Sequence, residues 1–202
     1  PIITSVHELL STGKPARLSK LSEPEKPKLK NLQLLTSKPV LYICNVSEEH
    51  ATTGNKYSKL VHDIANKEDA ISIIISAKIE SEISQLNTEE KNEYLIALGL
   101  EQSGLEQVIQ SGYNLLNLIT YFTSGPEESR AWTVSKGSNA PRAAREIHTD
   151  FEKGFIRAEV ISYKDYVTLQ GEKKSKEAGK MRVEGKDYIV EDGDVIYFRF
   201  NV

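Results

Sequence analysis

Cysteine is nearly absent from this chain: 202 residues contain one, Cys44, with one tryptophan and one methionine beside it. A lone cysteine excludes an intramolecular disulfide framework and a Cys-rich metal cluster, and it points to the cytosol. Long apolar runs are missing as well. No stretch approaches the roughly 18 residues that a bilayer span needs, and the N-terminus lacks the charged-then-apolar order of a secretory signal. Neither sign of charge dominates, with 26 Lys and Arg against 29 Asp and Glu. Nothing global therefore attracts nucleic acid or an anionic membrane, and such a partner must be read from local patches. His7, His50 and His62 have no metal-ligand spacing with one another. No phosphate-binding loop of the form G-x-x-x-x-G-K-[ST] occurs between Pro1 and Val202. Pro1 also stands where an initiator methionine would, so a piece of a longer protein is expected.

What is there begins with a hydrophobic fraction of 39%, enough for a buried core. Residues 1–30 are rich in Pro, Ser and Lys and read as a connector with one short helix around Val6–Leu10. A helical turn through Leu29, Leu32 and Leu35 follows. Pro39 then marks entry into an apolar strand, Val40 to Cys44, whose continuous apolarity predicts burial on both faces. After a polar loop, an amphipathic helix carries Leu60, Val61 and Ile64 on one side, and a second apolar strand runs from Ile71 to Ile75. Strand, helix and strand at this spacing form a parallel β-α-β unit, whose ligands sit at the carboxyl ends of its strands. Asn45-Val46-Ser47-Glu48 and Ser76-Ala77-Lys78 both fall there.

Further on, Asn87 or Thr88 caps a helix that ends near Gly99, and another helix starts near Leu105 with Val108 and Ile109 at helical spacing. From about Thr120 the texture changes. Strands 120–123 and 131–134 flank Ser124-Gly125-Pro126 as a hairpin, and Ala140, Ala143, Ala144 and Ile147 recur on one helical face behind Ser138 or Asn139. Strand 155–162 alternates, with Ile156, Ala158 and Val160 opposed to Arg157 and Glu159 on a wet face. The last strand opposes Ile196, Phe198 and Phe200 to Val195, Tyr197 and Arg199. Between these strands, Gly171 to Arg182 reads as a polar loop with a short helix. The whole is an α/β nucleotide-domain remnant followed by a small α+β domain like a ubiquitin-type β-grasp.

The two loops carry the chemistry. A buried strand followed by N-K-x-D, and a second strand followed by S-A-K, form the guanine site of P-loop GTPases. Here the tetrapeptide is Asn45-Val46-Ser47-Glu48. Glutamate is one methylene longer than aspartate, which misplaces the carboxylate for a two-pronged grip on guanine. Val46 replaces a lysine stem, although its backbone can still face the base. Adenine, with an amine donor and a ring-nitrogen acceptor, can be held by backbone carbonyls and the Asn45 amide. Ser76-Ala77-Lys78 would close the other side through backbone N–H groups. The alternative is an ordinary post-strand turn, in which Asn and Ser are common. The two loops together are more specific than either alone.

At this point the sequence resembles the YchF or Obg-like ATPase family of P-loop proteins. The resemblance runs from about Leu29 onward. It covers Leu34-Leu35-Thr36-Ser37-Lys38-Pro39-Val40 into Asn45–Glu48, then Leu115 to Thr123. Its strongest blocks are Arg130-Ala131-Trp132-Thr133 and Ile147 to Ala158, with Gly185 to Val190 and Asp192-Gly193-Asp194 completing a C-terminal TGS domain. The resemblance implies the end of a helical arm over 1–30, the C-terminal part of a nucleotide-binding domain over 31–119 and a TGS β-grasp domain over 120–202. It also implies a cytoplasmic, ribosome-associated parent that binds and hydrolyses ATP with Mg2+, because N-x-x-E replaces N-K-x-D in that family. Ser76-Ala77-Lys78 is the GTPase-like form of its loop, so a GTP-binding protein of the same fold stays open, as does a non-catalytic ribosome or RNA-binding module. Phosphoryl transfer depends on metal and phosphate contacts that this stretch lacks, so the chain alone is expected to be inactive and no catalytic or metal residue is assigned.

Other residues have plainer readings. His148 and Asp150 lack a nucleophile and read as a turn anchor. Cys44 reads as a small buried thiol, and Trp132 and Phe151 as core. Lys173, Lys174 and Lys176, extended by Arg157, are candidates for RNA phosphates. Glu172, Glu177 and Glu184 are interspersed among them, as on an ordinary solvated surface.

Overall fold

The computed structural model describes residues 2–22 and 24–201; Pro1, with its bearing on a longer chain, lies outside them. Two units form, Pro1–Leu115 and Leu116–Val202. Among the described residues no helix is long and apolar enough to cross a membrane.

The first unit opens with α1 (Ile2–Ser11), whose Val6 packs with Ala16 and Leu29 in a small apolar cluster. Leu29 belongs to α2 (Lys26–Asn31), and Leu35 begins a separate 3₁₀ turn, Leu35–Ser37. The expected single turn through Leu29, Leu32 and Leu35 is thus broken, and Leu32 and Leu35 are exposed. Arg17 joins this segment to the next by an ion pair with Glu68, whose carboxylate also accepts from the Tyr42 hydroxyl at 3.0 Å. The Arg17 guanidinium, followed by the Tyr42 hydrogen bond, holds the Glu68 carboxyl below its ordinary range.

Strand β1 (Leu41–Asn45) and strand β2 (Ile71–Ile75) pair in parallel, from Leu41 opposite Ile71 to Asn45 opposite Ile75. Helix α3 (Lys56–Lys67) crosses between them, opened by a reciprocal capping box of Asn55 and Ser58. Gly54 precedes it at φ +70°, and a Cβ there would lie 2.7 Å from Ile74 Cδ1, so glycine serves both the turn and the close approach. The helices α4 (Ala77–Ile83), α5 (Thr88–Ala97) and α6 (Gly104–Leu115) complete the unit, with Ile79 and Ile83 of α4 and Leu95 of α5 forming an apolar cluster. Asn87 is the α5 cap, bonding the Glu89 and Glu90 amides at 3.0 Å.

In three elements apolar patterning does not translate into burial. No β1 residue is fully buried, and Ile43 is 46% exposed. Leu60 and Ile64 of α3, like Leu105 and Ile109 of α6, are exposed, while the small residues Ser58, Ala65 and Gly104 are the buried ones. The cause is common to all three. Among the described residues the sheet has only two strands, too few to cover the apolar faces the sequence supplies. Cys44 is accordingly half-buried.

The second unit is built on a five-stranded sheet. Strands β3 (Leu118–Ser124) and β4 (Ser129–Ser135) form the hairpin, closed by Gly125 N donating to Glu128 O at 2.8 Å. Helix α7 (Ala140–Ile147) starts at Asn139, whose side chain accepts from Arg142 N. The helix α8 (Thr149–Lys153) leads into β5 (Phe155–Ser162), followed by α9 (Tyr163–Thr168), α10 (Glu172–Glu177), β6 (Arg182–Glu184) and β7 (Asp194–Phe200). Spatial order is β4-β3-β7-β5-β6, with β3 and β7 parallel and the other neighbours antiparallel. Sequence reading missed α8, α9 and β6, all too short for a periodic signal.

Helix α7 presents Ala140, Ala143 and Ala144 to Ile119, Tyr121, Val134, Ala158, Val160 and Ile196. Small side chains let the helix approach closely, so the buried Tyr121 hydroxyl reaches Ala143 O at 2.8 Å. Burial raises the Tyr121 phenol above its ordinary value. Trp132 and Phe151 are half-buried against this core. His148 caps α8, its Nδ1 accepting from Asp150 N at 3.2 Å, which is the structural role its neighbours suggest.

The simple alternation of β5 is corrected. A register shift between Phe155 and Arg157 sends Phe155 into the core and leaves Ile156 exposed. Glu159 is not on a wet face but buried, accepting Arg199 Nη2 at 2.8 Å through one oxygen and Arg157 Nη2 at 3.1 Å through the other. Arg199 first, and then Arg157, holds its carboxyl below the usual glutamate range.

Two outcomes follow from this packing. A Cβ at Gly154 would sit 1.8 Å from the Asn201 carbonyl oxygen. Gly154→Ala should therefore destabilise the second unit by about 2 kcal/mol or more in urea unfolding. Because the Glu159 carboxyl is depressed on folding, its contribution is present above the unfolded value of about 4.3 and lost as pH falls through the lower folded value. Glu159→Gln should cost about 1–3 kcal/mol at neutral pH and flatten the fall in stability below roughly pH 4.5, as read by denaturation at a series of pH values.

Candidate nucleotide-base site

Parallel pairing makes the chain leave β1 and β2 at the same end, so the two candidate loops meet. The pairing runs one residue past β1, with Val46 N donating to Ile75 O at 2.9 Å. Asn45 Oδ1 accepts the Ala77 backbone N–H at 3.0 Å, tying the first loop to the second. Glu48 opens a 3₁₀ turn, Glu48–His50, and its Oε2 accepts from Lys78 Nζ at 2.7 Å. A carboxylate and an ammonium from different strand ends thus stand side by side.

The structure brings Asn45, Glu48, Ala77 and Lys78 together through these bonds. Val46 and Ser76 are adjacent and have buried side chains, and the Val46 N–H is taken up by the strand pairing. Ser47 is exposed on the rim, with its hydroxyl 3.3 Å from Glu49 Oε1. The Ser76 hydroxyl is buried without a hydrogen-bond partner, a costly arrangement for a polar group. A cleft of about 600 Å³ opens here, lined by Ser47, Glu48, Thr52, Lys78, Ala97 and Leu98. The hydrogen bond and charge of Glu48 raise the Lys78 ammonium above its ordinary value, so it stays protonated throughout neutral pH.

Several contributing residues carried no signal in the sequence. Ser76-Ala77-Lys78 reads as a loop, yet Ala77 and Lys78 form the first turn of α4. One turn on, Glu80 accepts Gly104 N at 2.7 Å and Leu105 N at 3.1 Å, capping α6 from a different helix. Glu82 lies 3.9 Å from Lys78 and accepts from the Tyr94 hydroxyl. Spacing of i and i+4 could have paired Lys78 with Glu82, whereas nothing local links Glu80 to residue 104.

The RNA candidates belong to the second unit. Arg157 pairs with Glu159 on its own strand, and Lys174 Nζ bonds Gln170 Oε1 at 2.7 Å on α10, where Lys173 and Lys176 are exposed. Among the described residues no group of three His, Cys, Asp or Glu side chains could hold a metal ion.

Glu80 positions α6 against β2 beneath this site. Glu80→Ala should remove two amide partners and destabilise the first unit by about 1–2 kcal/mol in thermal or urea unfolding, with the largest loss of hydrogen-exchange protection at residues 104–107.

Fold and loop geometry define an α/β chain with a parallel two-stranded unit, a mixed five-stranded unit, and Asn45, Glu48, Ala77 and Lys78 brought together at the carboxyl ends of the parallel strand pair. Residues 118–201 match the family model YchF-GTPase_C, described as a protein of unknown function (DUF933). The chain is 52% identical over 202 residues to the Haemophilus influenzae "Ribosome-binding ATPase YchF", covering 100% of this chain and 53% of that protein. The Bacillus subtilis protein of the same name is 49% identical over 203 residues, covering 100% and 56%. Rat "Obg-like ATPase 1" is 46% identical over 171 residues, covering 83% and 43%. The solved Schizosaccharomyces pombe YchF GTPase superposes with a TM-score of 0.83 at 37% identity, over 98% of this chain and 53% of that one. A Pyrococcus horikoshii GTP-binding protein shares the fold, with a TM-score of 0.58 at 19% identity over 99% and 56%. The chain belongs to the YchF and Obg-like ATPase family, and it spans about half the length of the curated relatives it matches.

Proposed function

We propose that this chain supplies the base-reading edge and a TGS β-grasp domain of a ribosome-associated protein that binds and hydrolyses ATP. Residues 1–30 are the end of a helical arm, 31–119 the C-terminal part of the nucleotide-binding domain and 120–202 the TGS domain. The observation that carries the reading is the meeting of Asn45 with Ala77 and of Glu48 with Lys78 at one end of the parallel pair. The names of the bacterial relatives, ribosome-binding ATPases, supply the activity and the partner.

Adenine is the base, because a lengthened carboxylate and the missing lysine at Val46 weaken the grip on guanine. The name GTPase on the fission-yeast relative keeps GTP as the alternative. Magnesium and the phosphates belong with a phosphate-binding loop outside these residues. The described donors do not fit a metal, so no catalytic step is assigned to this chain.

Titrating the chain with adenosine, followed by backbone amide shifts, tests the base site without requiring phosphate contacts. Perturbation at residues 45–48 and 76–78 is expected, and clearly tighter binding of guanosine would reverse the base assignment.

A second reading, a ribosome or RNA-binding module, is favoured by one observation. Arg157 and Arg199 are both about half exposed while their guanidiniums are fixed by buried Glu159. Lys173, Lys174 and Lys176 would extend such a contact to ribosomal RNA. Co-sedimentation of the chain with ribosomes at low salt is expected, and replacing Arg157 and Arg199 together by alanine should weaken it several-fold.

A further inference from the structure

We propose that Lys78 is a specificity-determining residue of the base site, acting by occupying one oxygen of Glu48 so that guanine cannot take both. The inference rests on the base-site reading above and goes beyond it by assigning the discrimination to a particular pair.

Guanine presents two adjacent N–H donors along its pairing edge and a carbonyl acceptor beside them. A carboxylate grips those donors with both oxygens at once, a geometry that is strong because it is bidentate and charge-assisted. The carbonyl needs a donor of its own, such as a backbone N–H. In this structure both requirements are already taken. Lys78 Nζ stands 2.7 Å from Glu48 Oε2, and the Ala77 N–H is spent on Asn45 Oδ1 at 3.0 Å.

Adenine asks for less. Its edge offers one amine and one ring nitrogen, a donor beside an acceptor, and a carboxylate beside an ammonium is the matching pair. The base can therefore dock on Glu48 and Lys78 while they remain joined. Guanine can offer N1–H and O6 to the joined pair, but its 2-amino group is then left without an acceptor, and both donors are satisfied only after the lysine is displaced.

The length of the glutamate matters for this reason. Glu48 lies in the 3₁₀ turn and Lys78 in the first turn of α4, and the longer side chain spans the gap between them. A second carboxylate supports the lysine, since Glu82 Oε1 lies 3.9 Å from Nζ. The Lys78 side chain is 68% exposed, so its replacement leaves no cavity and its ion pair is weakened by salt. An exposed pair of this kind shifts a binding ratio by a few-fold rather than by orders of magnitude.

The experiment compares adenosine and guanosine binding by the chain, by amide shift titration, in the wild type, Lys78→Met and Lys78→Arg. Lys78→Met should move the guanosine-to-adenosine affinity ratio toward guanosine by about threefold or more, and Lys78→Arg should keep the wild-type ratio. Raising salt should move the wild-type ratio in the same direction as Lys78→Met and leave that of Lys78→Met unchanged. Equal loss of both nucleosides in Lys78→Met, or an unchanged ratio, would overturn the role of Lys78 while leaving the base site standing. Absence of adenosine binding by the wild type, with the amide spectrum of a folded chain, would overturn the base site and this inference with it.

Discussion

The in-register parallel pairing of β1 and β2 is the constraint on which the candidate site depends. Asn45 opposite Ile75 means that both strands end at one level, and the next residues of each chain segment emerge within hydrogen-bond reach. A parallel pair needs a long crossover, supplied here by α3 with its Asn55 and Ser58 capping box. Everything after that is local. The Asn45 amide fixes Ala77, α4 starts there, and Lys78 is carried to Glu48. A slip of one residue would turn the Asn45 side chain to the opposite face and break the connection.

The second unit solves a different problem, covering a mixed sheet with little material. Three alanines on α7 bring a short helix close enough for its backbone to accept the Tyr121 hydroxyl. At the other end of β5, close packing leaves no room for even one methyl group between Gly154 and Asn201. Away from this helix, the Glu159 carboxylate is kept charged within the sheet by two arginines. Asp194 is nearly inaccessible and is pushed up by burial, although the Tyr188 hydroxyl and Glu191 N–H bond it. Two acids a few residues from neighbouring strand positions are thus driven in opposite directions by their surroundings, through pairing in one case and desolvation in the other.

Much of this was legible in residue order because it rests on local chemistry. Both strands of the parallel pair, the hairpin about Gly125, the Asn87 cap and the alanine face of α7 are each signalled within a few residues. The failures share one feature, in that burial depends on what arrives from elsewhere. Leu60, Ile64, Leu105 and Ile109 are spaced as core residues yet exposed, since a two-stranded sheet covers too little. Ile156 breaks its alternation because a register shift against β7 intervenes, and no residue nearby announces it.

The sequence by itself determined the residue types of the two candidate loops, their positions after two apolar strands and the lack of a phosphate loop among these residues. These are properties of order and spacing, and order is all that hydrogen-bonded local structure and turn chemistry require. Only the tertiary structure decided that Glu48 and Lys78 pair, that Asn45 consumes the Ala77 N–H, that Glu80 caps α6 and that Glu159 is buried between two arginines. Each joins side chains to groups far along the chain or on another strand. Distances of that kind are set by how sheets and helices pack, and no local pattern encodes them.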